Sequence, residues 1–468
     1  MVYAQKFMLD QFTPIAVYEK VKPFFEGEKC FLFESVVNTS DGNFSYIICG
    51  EREAVWSEEG KSFYKKGEEI REVESNPLLF LKRYYQNIDF DAYKKRAKEL
   101  GVGFIDGLIG YIGYDMVKEF EPVLKPFMEH LKDELHTPDF YMIRPKLIIA
   151  YAHKKSEMTL ITSDERQKEL FEPIKKAIQS SYDYTPLKKA KLLGEPRFAH
   201  SKEEFFEMVR KSKEMIRSGD VFQIVISNRL TQEAVVDRFS FYRKLRSLNP
   251  SPYLFLLEFD EFAIAGSSPE VMVRLTDGEI LLRPIAGTRK RGDTPKRDLE
   301  LEEEMKNDPK EVAEHVMLID LGRNDVGRVA KAGTVKVPHV MRIERYSHVM
   351  HMVSDVVAQI DEKYDMFDLF MATFTAGTMT GAPKIRAMEL IAEFEGLKRG
   401  FYSGSIGYFG FDGNMDSAIT IRSAMIKPDR VIFQAGAGIV ADSKPELEYL
   451  EVNNKLGALK KALEELAK

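Results

Sequence analysis

Short apolar runs separated by turn-forming residues dominate the first part of the chain. FLFESVV (31–37) and FSYIICG (44–50) flank NTSDGN (38–43), a pattern that predicts a hairpin. GLIGYIGYD (107–115) predicts another strand, and its three glycines indicate a bulge or a close approach of backbone. The N-terminal part is therefore predicted to be rich in strands.

Longer apolar runs and helical patterns alternate in the second part. SIGYFGF (405–411) and SAITIRSAMI (417–426) flank Asp412-Gly413, which is a strong hairpin signal, and VIFQAGAGIV (431–440) follows after Lys427-Pro428-Asp429. Consecutive hairpins produce antiparallel sheet, so the sequence predicts an α+β fold rather than a doubly wound α/β fold.

The clearest boundary lies at residues 180–191, which are polar, contain a proline and follow neither helical nor strand periodicity. A helix is predicted directly afterwards, because Ser201 followed by Glu204 is a capping-box signature. We therefore divide the chain into an N-terminal region, 1–190, and a larger C-terminal region, 191–468.

Composition narrows the class of protein. The net charge of −6 argues against nucleic acid or an anionic membrane as the main partner, since both favour a basic face. Cys30 and Cys49 are too few for a disulfide framework and are interpreted as buried residues of a reducing compartment. The N-terminus lacks the apolar run of a signal peptide, and no stretch approaches the ~20 apolar residues of a membrane span. A cytoplasmic location is predicted.

Two pairs of carboxylates stand at helical spacing. Asp308 is a predicted N-cap, and Glu311 and Glu314 share one face of the helix that follows. Glu448 and Glu451 repeat that spacing in the last helix. Ordinary capping and exposed acidic pairs explain such spacing as well. If the two pairs converge, oxygen ligands from two helices suit Mg²⁺ together with an anionic substrate.

His348 and His351 could suggest a metal site, but the β-branched residues around them predict a strand. On a strand these two side chains point to opposite faces, which argues against a shared metal ion. His351 is then either an acid/base group or a structural histidine.

Two glycine-containing loops could bind an anion. FTAGTMTGAPKIRAME (374–389) places Thr378 just before a predicted helix, although its spacing is not that of a phosphate-binding P-loop. Gly436 and Gly438 follow a predicted strand without the third glycine of a dinucleotide site. Arg422, on a predicted strand among apolar neighbours, needs an anionic partner, which is either a ligand or an internal carboxylate.

These residues lie in segments that closely resemble the chorismate-utilising enzymes, and within that family the anthranilate synthase component I group. The resemblance is dense from about residue 200 to 460 and thinner before it. The matching stretches are SSPEVMV (267–273), PIAGTRKRG (284–292), KEVAEHVMLIDLGRNDVGRV (310–329), IERYSHVMHMVS (343–354), TAGTMTGAPKIRAME (375–389), RGFYSG (399–404), AITIRSA (418–424) and QAGAGIVADSKPELEYLEVNNK (434–455).

The resemblance implies two antiparallel sheets packed as a sandwich with helices outside. It also implies that ammonia adds to chorismate and that pyruvate leaves, giving anthranilate. Glu270 would be the general acid and His351 would assist proton removal. Glu314 and Glu451 would bind Mg²⁺, with Glu311 and Glu448 beside them. The substrate would be bound by Gly287, Thr288, Thr378, Tyr402, Arg422, Gly436, Gly438 and Lys455.

Two positions separate relatives within the family. Where water-using isochorismate and salicylate synthases carry a lysine base, this chain has Gln223, which cannot act as a base on water. Typical aminodeoxychorismate synthases carry a nucleophilic lysine where this chain has Ala286. Anthranilate synthase is therefore favoured, with aminodeoxychorismate synthase component I as the alternative. A catalytically inactive tryptophan sensor is disfavoured by the complete set of catalytic-type residues.

FLFES and NPSPYLF (249–255) resemble the two halves of the family's tryptophan-binding pocket. Glu34, Ser35, Pro252 and Tyr253 would line that pocket, and plain strand packing is the other interpretation. Phe33 replaces the leucine usual in the family.

Neither cysteine has the context of an amidotransferase nucleophile, which requires a sharp elbow and a histidine partner. The resemblance therefore implies a separate glutamine amidotransferase subunit as the source of ammonia, in a heterotetramer with two copies of each subunit.

Overall fold

The computed structural model describes residues 1–35, 44–181, 184–346 and 349–468. His348 and the turn at 38–43 lie outside these ranges. None of the helices within them is long and apolar enough to cross a membrane.

The described part of the chain contains 23 strands. They are β1 (Tyr3–Met8), β2 (Cys30–Glu34), β3 (Phe44–Glu58), β4 (Lys61–Lys66), β5 (Glu69–Val73), β6 (Gly107–Ile112), β7 (Phe140–Ala152), β8 (Glu157–Thr162), β9 (Lys191–Leu192), β10 (Arg197–Phe198), β11 (Gln223–Val235), β12 (Tyr253–Glu258), β13 (Ala263–Ser268), β14 (Val271–Thr276), β15 (Glu279–Leu282), β16 (Ile285–Lys290), β17 (Lys336–Arg345), β18 (Val349–Gln359), β19 (Gly381–Ala382), β20 (Ser405–Gly410), β21 (Met415–Ile419), β22 (Ser423–Ile426) and β23 (Arg430–Ile439).

The helices alternate with these strands. They are α1 (Pro14–Val21), α2 (Pro77–Tyr85), α3 (Phe90–Leu100), α4 (Val117–Phe120), α5 (Lys125–Met128), α6 (Phe171–Gln179), α7 (Lys202–Ser218), α8 (Arg238–Leu248), α9 (Pro295–Asn307), α10 (Pro309–Gly327), α11 (Met366–Thr373), α12 (Lys384–Glu395) and α13 (Pro445–Ala467).

The strands pair antiparallel along two branches. One runs β1–β8–β7–β3–β2–β12–β13–β22–β23–β11. The other runs β5–β4–β3–β7–β6–β20–β21–β14–β15–β18, with β16 and β17 also on β18. The long strands β3 and β7 belong to both branches, and the register between them shifts between Glu51 and Glu53. Such a bulge bends a strand, so one strand serves two sheet directions.

Three large clusters of buried side chains follow this topology. One draws Phe31, Phe255 and Ile264 from the first branch and Ile109 and Ile406 from the second. A second packs α1, α6, α7, α8, α12 and α13 on the first branch, and a third packs α2, α10 and α11 on the second. The first of these clusters thus contains side chains from both branches. The predicted antiparallel α+β class is confirmed, whereas the sandwich and the boundary near residue 190 stay predictions.

The predicted capping and turn residues lie at the ends of helices and strands in the structure. Ser201 and Glu204 form the expected capping box at the start of α7, and Asp308 caps α10 by accepting from the N–H groups of Lys310 and Glu311. The predicted hairpin across Asp412-Gly413 is β20–β21, with Ser405 opposite Ile419. FLFES and FSYIICG also pair as expected, as β2 and β3.

One predicted element is wrong. SAITIRSAMI was expected to form a single strand, with Arg422 on it, but β21 ends at Ile419 and β22 begins at Ser423. The two strands belong to different branches, since β21 pairs with β14 and β22 with β13. Arg422 lies in the break with φ of +51°, a region that non-glycine residues rarely adopt. The chain changes branch there, which places the Arg422 side chain at a corner rather than on a regular strand face.

Candidate active site

A carboxyl buried between the branches is the first element of the site. Glu270 follows β13, is 6 % exposed, and accepts a hydrogen bond from the Thr378 hydroxyl at 2.9 Å. Burial raises the pKa of Glu270 to about 8, although Thr378, Arg422 and the Ile285 N–H act in the opposite direction. A carboxyl that retains its proton near neutral pH can act as a general acid.

His351 lies on β18, as the sequence predicts, opposite Thr288 of β16. Its Nδ1 is 3.0 Å from the Thr288 hydroxyl oxygen and 3.2 Å from the Gly287 carbonyl oxygen. Burial lowers the pKa of His351, so the imidazole is neutral at physiological pH and one ring nitrogen can accept a proton. Gly287 has φ of +65° at the bulge in β16, which favours glycine at this position.

Gln223 begins β11 and connects it to α10. Its Nε2 donates to Glu314 Oε1 at 3.1 Å, while its own Oε1 is buried without a partner among the described residues. A Cβ added to Gly438 would lie 2.5 Å from Gln223 Nε2. Gly438 thus allows β11, β23 and α10 to approach one another closely.

The four predicted metal ligands lie on the facing helices α10 and α13, as expected. Burial raises the pKa of Glu314, and Glu311 and Glu451 raise it further. Burial also raises the pKa of Glu448, with Glu451 contributing. These carboxylates therefore repel one another across the two helices, which is the electrostatic environment that a divalent cation would relieve.

The same four side chains do not converge into a finished metal cluster. Across the described residues, no three His, Cys, Asp or Glu side chains are arranged to hold a metal ion. Arg289 binds Glu311 at 2.8 Å and Lys455 binds Glu451 at 2.6 Å. Glu314 and Glu448, in contrast, form no ion pair within the part of the chain that the structure describes. Oxygen donors of this kind fit Mg²⁺, and Glu311 and Glu451 would exchange their contacts with Arg289 and Lys455 on binding it.

Arg422 provides positive charge that forms no ion pair among the described residues. Its side chain makes no hydrogen bond or ion pair with residues in the described ranges, and burial lowers the pKa of its guanidinium. The carboxyls of Glu270 and Glu451 lie close enough to influence its charge, but neither forms an ion pair with it among the described residues. A guanidinium that is not engaged in an ion pair is suited to bind the carboxylate of a ligand.

Tyr402 and Gly436 lie in the same part of the site as Arg422. A Cβ added to Gly436 would lie 3.0 Å from the Tyr402 hydroxyl. Lys455 donates to the Gly436 carbonyl oxygen at 2.8 Å while also binding Glu451. Tyr402 also lies close enough to Arg422 to influence its charge. The residues predicted to be catalytic, substrate-binding and metal-binding thus gather in one region, although their individual roles stay predictions.

The four residues of the predicted tryptophan pocket line a separate cavity of about 350 Å³. They are Glu34, Ser35, Pro252 and Tyr253. The cavity lies close to the active-site residues, because Pro269 and Val271, on either side of Glu270, also line it.

The carboxylate of Glu34 is already occupied. It accepts hydrogen bonds from Tyr242 at 2.6 Å and Arg246 at 2.9 Å, both on α8. Glu34 lines the cavity as Phe33 and Ser35 do, but its carboxylate is bound by side chains of α8. The expectation that Glu34 meets a ligand ammonium gains no support from this geometry.

Sequence reasoning missed two residues behind the site, Glu395 and Arg399. They form a buried ion pair, with Arg399 Nη2 2.6 Å from Glu395 Oε1. Their i,i+4 spacing was a visible signal, but such pairs are usually exposed on helices. Only the tertiary structure brings this pair into the interior.

The family model described as chorismate binding enzyme matches residues 28–461, and the chain belongs to this family. Similar proteins include anthranilate synthase component 1 from Aquifex aeolicus (strain VF5), 42 % identical over 98 % of this chain and 93 % of that protein. Anthranilate synthase component 1 from Acetivibrio thermocellus is 41 % identical over 97 % and 94 % of the two chains.

Solved structures agree with this assignment. The crystal structure of anthranilate synthase component I from Streptococcus pneumoniae TIGR4 has a TM-score of 0.77 and 30 % identity, over 98 % of this chain and 99 % of that one. The menaquinone-specific isochorismate synthase from Escherichia coli has a TM-score of 0.73 and 19 % identity, over 99 % and 94 %. The second likeness concerns the fold alone.

Proposed function

We propose that this protein is the large subunit of an anthranilate synthase, which converts chorismate and ammonia to anthranilate, pyruvate and water in tryptophan biosynthesis. The observation that carries this proposal is the sequence identity of 41–42 %, over nearly the full length, to proteins named anthranilate synthase component 1. Gln223 and Ala286, at the positions that separate relatives, support the same choice over an isochorismate or aminodeoxychorismate synthase.

In this reaction Glu270 donates its proton to the carbon-4 hydroxyl, which leaves as water while ammonia bonds to ring carbon 2. The buried carboxyl with its raised pKa suits this task. His351 then accepts a ring proton as pyruvate is eliminated and the ring becomes aromatic. Its lowered pKa and its contact with Thr288 leave a neutral imidazole to do so.

The substrate's two carboxylates are bound at opposite ends of the site. Arg422, Tyr402 and the amides of Gly436 and Gly438 hold the enolpyruvyl carboxylate. This role is supported because the Arg422 side chain forms no ion pair within the described residues. Glu314 and Glu451, with Glu311 and Glu448 beside them, would hold Mg²⁺. The ion would supply positive charge to the ring carboxylate, as expected for a lyase of this type.

Ammonia comes from glutamine through a partner glutaminase subunit, in a heterotetramer of two copies of each subunit. The name component 1 of the similar proteins supports a second component. The buried free thiols of Cys30 and Cys49 suit a reducing cytoplasm.

Tryptophan inhibits by binding in the cavity of Ser35, Pro252 and Tyr253, within the same two-sheet sandwich. Tryptophan affects the active site through a residue that contacts both sites. Tyr346 lines the cavity, and the centre of its ring lies 5.6 Å from that of His351. A ligand that alters this wall changes the surroundings of a catalytic group.

The experiment is a fluorescence assay for anthranilate with chorismate, Mg²⁺ and ammonium. Anthranilate formed by the purified chain supports the proposal. Isochorismate as the product, or aminodeoxychorismate, would assign it to another branch of the family, and no turnover would support an inactive sensor.

A further inference from the structure

A buried ion pair lies behind the candidate site, between α12 and β20. Arg399 is 1 % exposed and Glu395 is 4 % exposed. The Nε and Nη2 atoms of Arg399 donate to the Glu395 carboxylate at 2.9 and 2.6 Å. Replacing a buried ion pair by apolar residues is often neutral or stabilising, so stability alone does not account for it.

The other donors of Arg399 reach two separate elements. Nη1 donates to the Met379 carbonyl oxygen at 2.8 Å, and Nη2 donates to the Val225 carbonyl oxygen at 2.7 Å. Met379 directly follows Thr378 in the loop before α12, and Val225 lies two residues after Gln223 in β11. One guanidinium therefore fixes the loop and the strand to each other.

Glu395 adds a second connection to the same strand. Its Oε1 accepts from the Ser227 N–H at 2.7 Å and from the Ser227 hydroxyl at 2.9 Å. The guanidinium carbon of Arg399 also lies 5.7 Å from the ring centre of Tyr402. Three parts of the substrate site, namely the Thr378 loop, β11 and Tyr402, thus meet at one ion pair.

We propose that Arg399 and Glu395 are positioning residues, which set the Thr378 loop against β11 so that the Thr378 hydroxyl meets Glu270. This inference rests on the proposed function for its catalytic consequence. Arginine is required because its planar fork reaches a carboxylate and two carbonyls at once. Lysine retains the charge but carries its donors on a single nitrogen, so Arg399→Lys separates charge from geometry.

The pair acts on Glu270 through Thr378. The groups that face Glu270 are the Thr378 hydroxyl, the Ile285 N–H and the charges of Arg422 and Lys455, and each of them favours the carboxylate against the effect of burial. When the loop loosens, the hydrogen bond from Thr378 is lost and the pKa of Glu270 rises. The basic limb of the pH profile therefore moves to higher pH, an effect that a general loss of stability would not produce.

The test measures kcat and the pH profile of kcat/KM for chorismate at constant free ammonia. In Arg399→Lys, kcat should fall about 10- to 100-fold, as expected for a displacement of about 1 Å in an active site. The basic limb should move upward, and Thr378→Ala should move it equally. The double variant should show no further movement beyond that of Thr378→Ala.

The matched control is Arg144→Lys, which alters another mostly buried arginine, bound to Glu53 at 2.9 Å and Asp106 at 2.7 Å, outside the active site. It should lower the melting temperature while leaving kcat and the basic limb unchanged. Glu395→Asp retains the charge and shortens the side chain. It should show the fall in kcat and the upward movement of the basic limb that are expected for Arg399→Lys. It therefore serves as the test if Arg399→Lys fails to fold.

A readout without turnover keeps this inference separate from the proposed function. The pH dependence of the melting temperature, compared between each protein and its Glu270→Gln derivative, reports the pKa of Glu270 whatever reaction is catalysed. The difference in melting temperature between each protein and its Glu270→Gln derivative changes with pH, and the midpoint of that change marks the pKa of Glu270. The midpoint should lie at higher pH in Arg399→Lys and in Glu395→Asp than in the wild type. The positioning role is overturned if both variants keep the wild-type midpoint, and the proposed function is overturned separately if the wild type forms no anthranilate.

Discussion

Replacing Glu270 with glutamine should abolish catalysis and at the same time stabilise the folded protein above neutral pH. The carboxyl is buried beside Thr378, and its pKa is raised to about 8 from an ordinary value of 4.5. Glutamine has nearly the same shape, can still accept the Thr378 hydrogen bond, and carries no charge to bury. Loss of the general acid should cost about 10²- to 10⁴-fold in kcat.

The magnitude of the stability gain follows from proton linkage. Between pH 4.5 and about 8 the folded protein binds a proton at Glu270 that the unfolded chain has released, so wild-type stability falls as pH rises. At about 1.4 kcal/mol per pKa unit, the accumulated cost reaches about 5 kcal/mol above pH 8 and vanishes below pH 4.5. Glu270→Gln does not bear this cost, so the difference in free energy of unfolding between the two proteins should grow with pH.

Denaturant unfolding of both proteins at pH 5 and pH 9 measures this difference. Glu53→Gln provides a control of opposite sign. Burial alone would raise the pKa of Glu53, but hydrogen bonds from Tyr64 and the charge of Arg144 outweigh burial and hold it below its ordinary value. That variant should be less stable than the wild type, and most clearly so above pH 5.

If Glu270→Gln is more stable than the wild type by the same free energy at both pH values, the reasoning is contradicted, because the carboxyl would then titrate normally in the folded protein. Retention of more than about a tenth of the wild-type kcat would separately remove Glu270 from the role of general acid.

Three further results are expected. The purified chain should form anthranilate from ammonium at alkaline pH, where free ammonia is plentiful, and should not turn over glutamine. Glu314→Gln and Glu451→Gln should each lower activity by at least about 100-fold at saturating Mg²⁺, without loss of the folded state, and full activity in either would refute the metal assignment. Tryptophan should inhibit the enzyme. Ser35→Phe should weaken tryptophan binding at least about tenfold in calorimetric titration while the turnover without tryptophan is retained. Chorismate should weaken tryptophan binding by the same factor by which tryptophan weakens chorismate binding.

Local structure and the family could be predicted from the sequence. The capping residues Ser201 and Asp308 and the Asp412-Gly413 turn act through neighbouring backbone, so their effects are visible within a few residues. Ordered motifs along the chain indicated the family for the same reason, since each motif is contiguous, and the roles of the site residues within them stay predictions.

The tertiary structure alone decided the electrostatic state of those residues. Nothing near Glu270 in sequence indicates a pKa of about 8, because the burial that causes it comes from elements distant along the chain. Pairing across the fold likewise directs the Glu34 carboxylate to Arg246 and places Arg422 at a corner between two strands. Desolvation and charge pairing depend on distances in space, and a linear pattern fixes such distances only within a turn or a single element.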